Sequence, residues 1–92
     1  HLTPDGKLVE GSVTEKTKQV MSNLEAILTE AGMGFDDVMK ATVYLTNMDD
    51  YKEFNETYIT YFGETLPARE AVCVKELPLG ASIEISMIAA RG

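Results

Sequence analysis

Apolar residues recur first at helical and then at strand spacing. From Ser12 onward, Val13, Thr17, Val20, Met21, Leu24, Ile27, Leu28 and Ala31 follow the three-and-four step of an α-helix. Ser12 and Glu15 fit a capping box, in which each side chain satisfies a backbone donor at the helix start, and Gly32 supplies a stop. Residues 38–46, VMKATVYLT, are rich in β-branched and aromatic side chains. Alternation predicts Met39, Ala41, Val43 and Leu45 on one face of a strand and Lys40, Thr42 and Tyr44 on a mixed second face. A second helix is expected to start near Asn47–Asp50, where Asp49 and Asp50 suit the positive end of the helix dipole. Its apolar stripe is Tyr51, Phe54, Tyr58, Tyr61 and Phe62, ended by Gly63. Residues 66–89, LPAREAVCVKELPLGASIEISMIA, read as two short strands joined as a hairpin through ELPLGA, and residues 1–11 form a turn-rich start. The order helix, strand, helix, strand, strand predicts an α+β domain with two amphipathic helices packed on one face of a small sheet. Three strands are few for the core that two such helices need.

At 92 residues the chain holds one small domain, short enough that apolar surface buried between subunits becomes attractive. With 8 basic and 15 acidic residues the formal charge is −7. That balance provides no basic face for nucleic acid, nor for an anionic membrane surface. No apolar run approaches the roughly 18–20 residues that span a bilayer, and the first residues lack a signal-peptide pattern. Cys73 is the single cysteine, which fits a reducing compartment.

Most catalytic signatures are missing. His1 is the one histidine and sits at the first position, so a Ser-His or Cys-His dyad has no obvious base, and the ligand count for a metal cluster is not met. The pairs Asp36-Asp37 and Asp49-Asp50 fall at element starts, where capping accounts for them. Cys73 reads as a small packing residue, and the Tyr51–Phe62 stripe as core. Two charges in the last strands stand out: Arg69 directly after Ala68, and Glu84 between Ile83 and Ile85. One reading makes them a cross-strand ion pair on a solvated face, contributing about 0–1 kcal/mol. The other places them in a cleft, where the planar guanidinium fork matches a carboxylate and a partly desolvated glutamate positions water or moves a proton.

The segments GKLVEGSVTEKTKQVMSNLEAILTEAG, VMKATVYLTNMDDYKEFNETYITYFG, PAR and LPLGASIEI together resemble the RidA/YjgF family of enamine/imine deaminases, in order and over essentially the whole chain. The resemblance implies a chorismate-mutase-like sheet with two helices on one face, assembled as a homotrimer with sites between neighbouring subunits. It implies hydrolysis of reactive 2-enamine or 2-imine acids, such as 2-aminoacrylate, to 2-keto acids and ammonia. This protective reaction requires neither cofactor nor metal, and the partners are a small 2-imino or 2-keto acid and further copies of the chain. A cytoplasmic location is expected, or a mitochondrial one for a eukaryotic source. By position, Arg69 of PAR corresponds to the family's carboxylate-binding arginine, Glu84 of IEI to the glutamate that orients or activates water, and Asn55 to the asparagine of N-x-x-Y near the site. Two departures bear on activity. Many members continue PAR with serine and then cysteine, where this chain has Glu70 and Ala71, and Cys73 lies two positions beyond that cysteine's place. Residues 1–92 are expected to form a single RidA-like domain without the family's N-terminal strands and their PY and SGQ segments. The alternative function is that of a non-catalytic small-carboxylate-binding or regulatory member of the same fold. RNA cleavage, attributed to some relatives, is disfavoured by the acidic charge.

Overall fold

The computed structural model describes residues 1–4, 6–63 and 66–90. The first helix, α1, spans Val13–Glu30. Its N-cap is Ser12, whose hydroxyl accepts from the Glu15 backbone N–H at 3.1 Å. The first turn is also tied to the second helix, because Thr14 donates from both its backbone N–H and its hydroxyl to Glu53 Oε2 at 2.9 Å. The C-terminus closes as a Schellman motif. Gly32 adopts φ +74, the Gly32 N–H reaches the Thr29 carbonyl at 2.9 Å, and the Met33 N–H reaches the Leu28 carbonyl at 2.7 Å.

The first strand, β1, covers Val38–Leu45. Ala41, Val43 and Leu45 are buried as expected, but Met39 is 61% exposed and Val38 is buried in its place. The physical reason is a bulge. The antiparallel register moves from Val38 opposite Ala89 to Lys40 opposite Ile88, so an extra residue shifts the alternation at the start of the strand. The second helical region is a composite: a 3₁₀ turn at Met48–Asp50, helix α2 at Tyr51–Tyr58, and a second 3₁₀ turn at Ile59–Tyr61. Asn47, not the aspartates after it, supplies the cap, its Oδ1 accepting from the Asp49 N–H at 2.9 Å.

Strands β2 (Ala68–Cys73) and β3 (Ile83–Ala89) do not pair as a hairpin. The sheet order is β2-β1-β3, with β2 parallel to β1 and β3 antiparallel to it. A parallel neighbour needs a crossover, and α2 supplies it. Residues 74–82, longer than a hairpin loop of about two to five residues, carry the chain across the end of β1. There the Val74 N–H donates to Leu45 O at 2.8 Å and the Thr46 N–H to Ser82 O at 3.2 Å. Within this connection Leu79 takes a left-handed φ of 60.

Both helices lie on one face of this mixed sheet, as predicted. The core joins Val20 and Met21 of α1, Phe54 and Tyr58 of α2, Ala41, Val43 and Leu45 of β1, and Ile83 and Ile85 of β3. On the opposite face the register aligns Thr42 with Glu70 and Ser86, and Tyr44 with Val72 and Glu84. Among the described residues no helix covers that face, where Ile88 is 62% exposed. Phe54 is fully buried and stacks on Tyr58 with ring centroids 5.4 Å apart, fixing α2 against the sheet. Phe54→Ala therefore costs about 3–5 kcal/mol. Urea unfolding at fixed protein concentration measures it, and a loss below about 1 kcal/mol means that α2 is anchored elsewhere.

Candidate functional site

The crossover sets the position of Arg69. In the parallel register Arg69 stands opposite Ala41, whose side chain faces the helices, so Arg69 also projects to the helix side. There it meets α2. Residues 51, 55 and 58 recur at helical spacing along one face, and all three engage the guanidinium. Arg69 Nη1 donates to Asn55 Oδ1, and Nη2 donates to the hydroxyl of Tyr51. The guanidinium carbon lies 5.0 Å from the Tyr58 ring centroid and 5.4 Å from that of Tyr51. Such cation–π contacts add about 0.5–2 kcal/mol each.

Asn55, Tyr58, Ile59, Leu66, Pro67 and Arg69 line a cleft of about 280 Å³. Its walls are largely apolar, and among the described residues that line it the single charge is the half-buried Arg69. Both hydrogen-bond acceptors on the guanidinium are neutral, and among the described residues no carboxylate lies within ion-pair distance of it. A guanidinium offers more donors than these two contacts use. A cation partly withdrawn from water and left without a counter-charge favours an incoming anion, and its fork geometry favours a carboxylate. Burial pushes the Tyr58 phenol above its ordinary pKa, with the nearby Arg69 charge opposing the shift, so its hydroxyl stays protonated near neutrality.

Glu84 does not join this cluster within one chain. It stands opposite Tyr44 on the uncovered face of β3, with β1 between it and Arg69. The expected cross-strand ion pair is therefore absent: the two charges lie on opposite faces of the sheet. Glu70 also points away from Arg69. Its carboxylate lies 3.4 Å from Lys40 Nζ and accepts from the Thr42 hydroxyl at 3.5 Å, which removes it as a competitor for the guanidinium. Ala71 packs against the core. Cys73 is exposed instead of packed, because it ends an edge strand, and its Sγ lies 3.8 Å from Thr46 O.

His1 is more engaged than its position suggested. It is buried, and its Nε2 accepts from the Ser82 backbone N–H at 3.0 Å. The Ser82 hydroxyl in turn accepts from Lys16 Nζ at 3.2 Å. With its lone pair committed to a backbone donor, the imidazole acts as a clasp between the first residues and the end of the 74–82 connection. Tyr51 and Tyr58 were missed as site residues because their spacing was read as core stripe alone. Their shared face with Asn55, turned toward the strand that carries Arg69, was the available signal.

Residues 2–91 match the family described as Endoribonuclease L-PSP. The chain belongs to this family, also known as YjgF/RidA. Among family relatives is a 2-iminobutanoate/2-iminopropanoate deaminase of Mus musculus, 48% identical over 87 residues that make up 95% of this chain and 64% of the relative. The crystal structure of yeast Mmf1 superposes with a TM-score of 0.95 at 40% identity, over 99% of this chain and 73% of that one. The structure of E. coli TdcF with bound serine superposes with a TM-score of 0.92 at 32% identity, again over 99% and 73%. The chain thus spans about two thirds to three quarters of the length of these family members. Like them, it forms two helices on a small mixed sheet.

The grip on Arg69 makes a thermodynamic prediction. Tyr51→Phe removes one hydrogen bond to a charged group, so it costs about 1.5–3 kcal/mol while Arg69 is present. In an Arg69→Ala background the same change costs close to nothing. Unfolding of the four chains gives the coupling, and equal costs in both backgrounds mean that the phenol does not hold the guanidinium.

Proposed function

We propose that this protein hydrolyses small 2-enamine and 2-imine acids, 2-aminoacrylate among them, to the 2-keto acid and ammonia. The observation that carries the reading is Arg69: a half-buried cation held by Tyr51 and Asn55 in an apolar-walled cleft, with no acidic partner among the described residues. The substrate class comes from the relatives at about 48% identity that are named 2-iminobutanoate/2-iminopropanoate deaminases. A relative holding serine, a small amino acid with its own carboxylate, supports the same ligand size.

In this reading Arg69 holds the substrate carboxylate through its fork, and Asn55 keeps that fork in place. The enamine first takes a proton at its terminal carbon to become the imine. Water then bonds to C2 while the C=N electron pair moves to nitrogen, which takes up a proton. The hydroxyl proton of the resulting carbinolamine passes to nitrogen as the C–N bond breaks, so ammonia leaves and the keto group forms. An imine carbon is already electrophilic, so orientation and a proton path suffice, and the reaction calls on no metal or organic cofactor.

Glu84 handles the water from a neighbouring copy. The uncovered sheet face carries Tyr44, Val72, Glu84 and Ile88, and we place it in the interface of a homotrimer. This assembly brings one chain's Glu84 toward another chain's Arg69 cleft. The described part of the chain acts as a single domain, and the cell compartment is the cytoplasm or, for a eukaryotic source, the mitochondrion, as in the name of a yeast relative. The formal charge of −7 opposes RNA as substrate despite the family's description, since phosphate contacts need a basic surface.

Release of 2-keto acid from 2-aminoacrylate generated in situ tests the reaction. The protein accelerates it, and Arg69→Ala lowers the rate at least about 30-fold by removing a charge-pairing group. Arg69→Lys also fails to restore it, because a point charge lacks the fork. Binding of keto acid without acceleration by the wild-type chain means a non-catalytic carboxylate binder instead. Mixing separately inactive Arg69→Ala and Glu84→Gln chains tests the shared site. Random reassembly of shared sites returns activity at roughly a quarter of them, whereas no recovery means that both residues act within one chain or that Glu84 is structural.

A further inference from the structure

Tyr58 sits beneath the Arg69 guanidinium and lines the cleft, yet its side chain does something no other residue there does. It is 1% exposed, and its hydroxyl is buried without a hydrogen-bond partner among the described residues. Its ring is fully accounted for by packing, stacked on Phe54 at 5.4 Å and tilted against Phe62 at 4.9 Å. A phenylalanine would serve that packing equally well. The hydroxyl adds only a desolvation cost, since a buried donor left unmade is unfavourable.

We propose that the Tyr58 hydroxyl is a substrate-binding group, which donates its hydrogen bond to the carboxylate held by Arg69. This inference rests on the carboxylate reading of the cleft and extends it to a residue outside the PAR and IEI segments. The chemistry favours an anionic acceptor for two reasons. The phenol has a hydrogen to give, and burial raises its pKa further above the ordinary value. The neighbouring cation, 5.0 Å from the ring centroid, draws negative charge to that spot. Tyr51 and Tyr58 then have different tasks. Tyr51 spends its oxygen on orienting Arg69, whereas Tyr58 keeps its hydroxyl for the ligand. The orphan group in the free protein becomes satisfied when the ligand arrives.

The test is Tyr58→Phe, read in two ways. Thermal unfolding of the ligand-free protein comes first. Removing an unpartnered hydroxyl leaves the midpoint unchanged or raises it, whereas a clear drop means that the hydroxyl already has a partner in the protein or a buried water, which overturns the proposal without reference to any ligand. Titration with pyruvate, followed by NMR shifts of the cleft residues, comes second. Wild type binds, and Tyr58→Phe binds about tenfold or more weakly through loss of a hydrogen bond to a charged group. Equal affinity of the two chains overturns the Tyr58 contact and leaves the carboxylate reading of Arg69 standing. No pyruvate binding by wild type overturns both.

Discussion

Parallel pairing of β2 with β1 is the constraint on which the site depends. Parallel strands need a crossover, and the crossover here is α2, so the helix that joins the strands necessarily lies over the strand it leads into. Arg69 enters at the start of that strand with its side chain toward the helices. The face of α2 that carries Tyr51, Asn55 and Tyr58 therefore meets the guanidinium without any loop having to be ordered for the purpose. Phe54, on the same short helix, anchors the arrangement in the core. A site built on packed elements in this way keeps its geometry better than one built on loops.

The electrostatic logic follows from the same packing. The sheet separates the charges: Arg69 lies under α2, whereas Glu70 and Glu84 lie on the uncovered face, with Glu70 paired to Lys40. Within the described part of one chain the cation consequently meets only neutral acceptors. Alternation along β2 and β3 assigns the carboxylates of Glu70 and Glu84 to the other side, so neither of them quenches it. A binding site for a small anion in a chain of formal charge −7 is reasonable on these terms.

Much of this was legible in the sequence, and the failures have identifiable causes. Helix α1 announced itself through Ser12, Glu15 and Gly32, whose local chemistry decides where a helix starts and stops. The core face of β1 was readable from alternation at Ala41, Val43 and Leu45 but not at Met39, where a bulge resets the period, and a bulge leaves no mark in a two-residue alternation. The hairpin expected through ELPLGA failed because adjacency in sequence says nothing about a third strand that fits between. The length of the connection, 74–82, was the available hint. Arg69 and Asn55 were picked out by motif, and the fold brings them together. Glu84 was picked out in the same way and the fold separates it from them within one chain. The two tyrosines were hidden by being core residues as well.

The central claim is that Arg69 receives a carboxylate in the cleft beside α2. The most direct measurement is a crystal structure of the protein with pyruvate bound. The account predicts the pyruvate carboxylate on the Arg69 guanidinium, between Asn55, Tyr58 and Leu66, with Tyr51 still holding the arginine. Pyruvate bound away from Arg69, or a cleft that stays empty at saturating pyruvate, would contradict it.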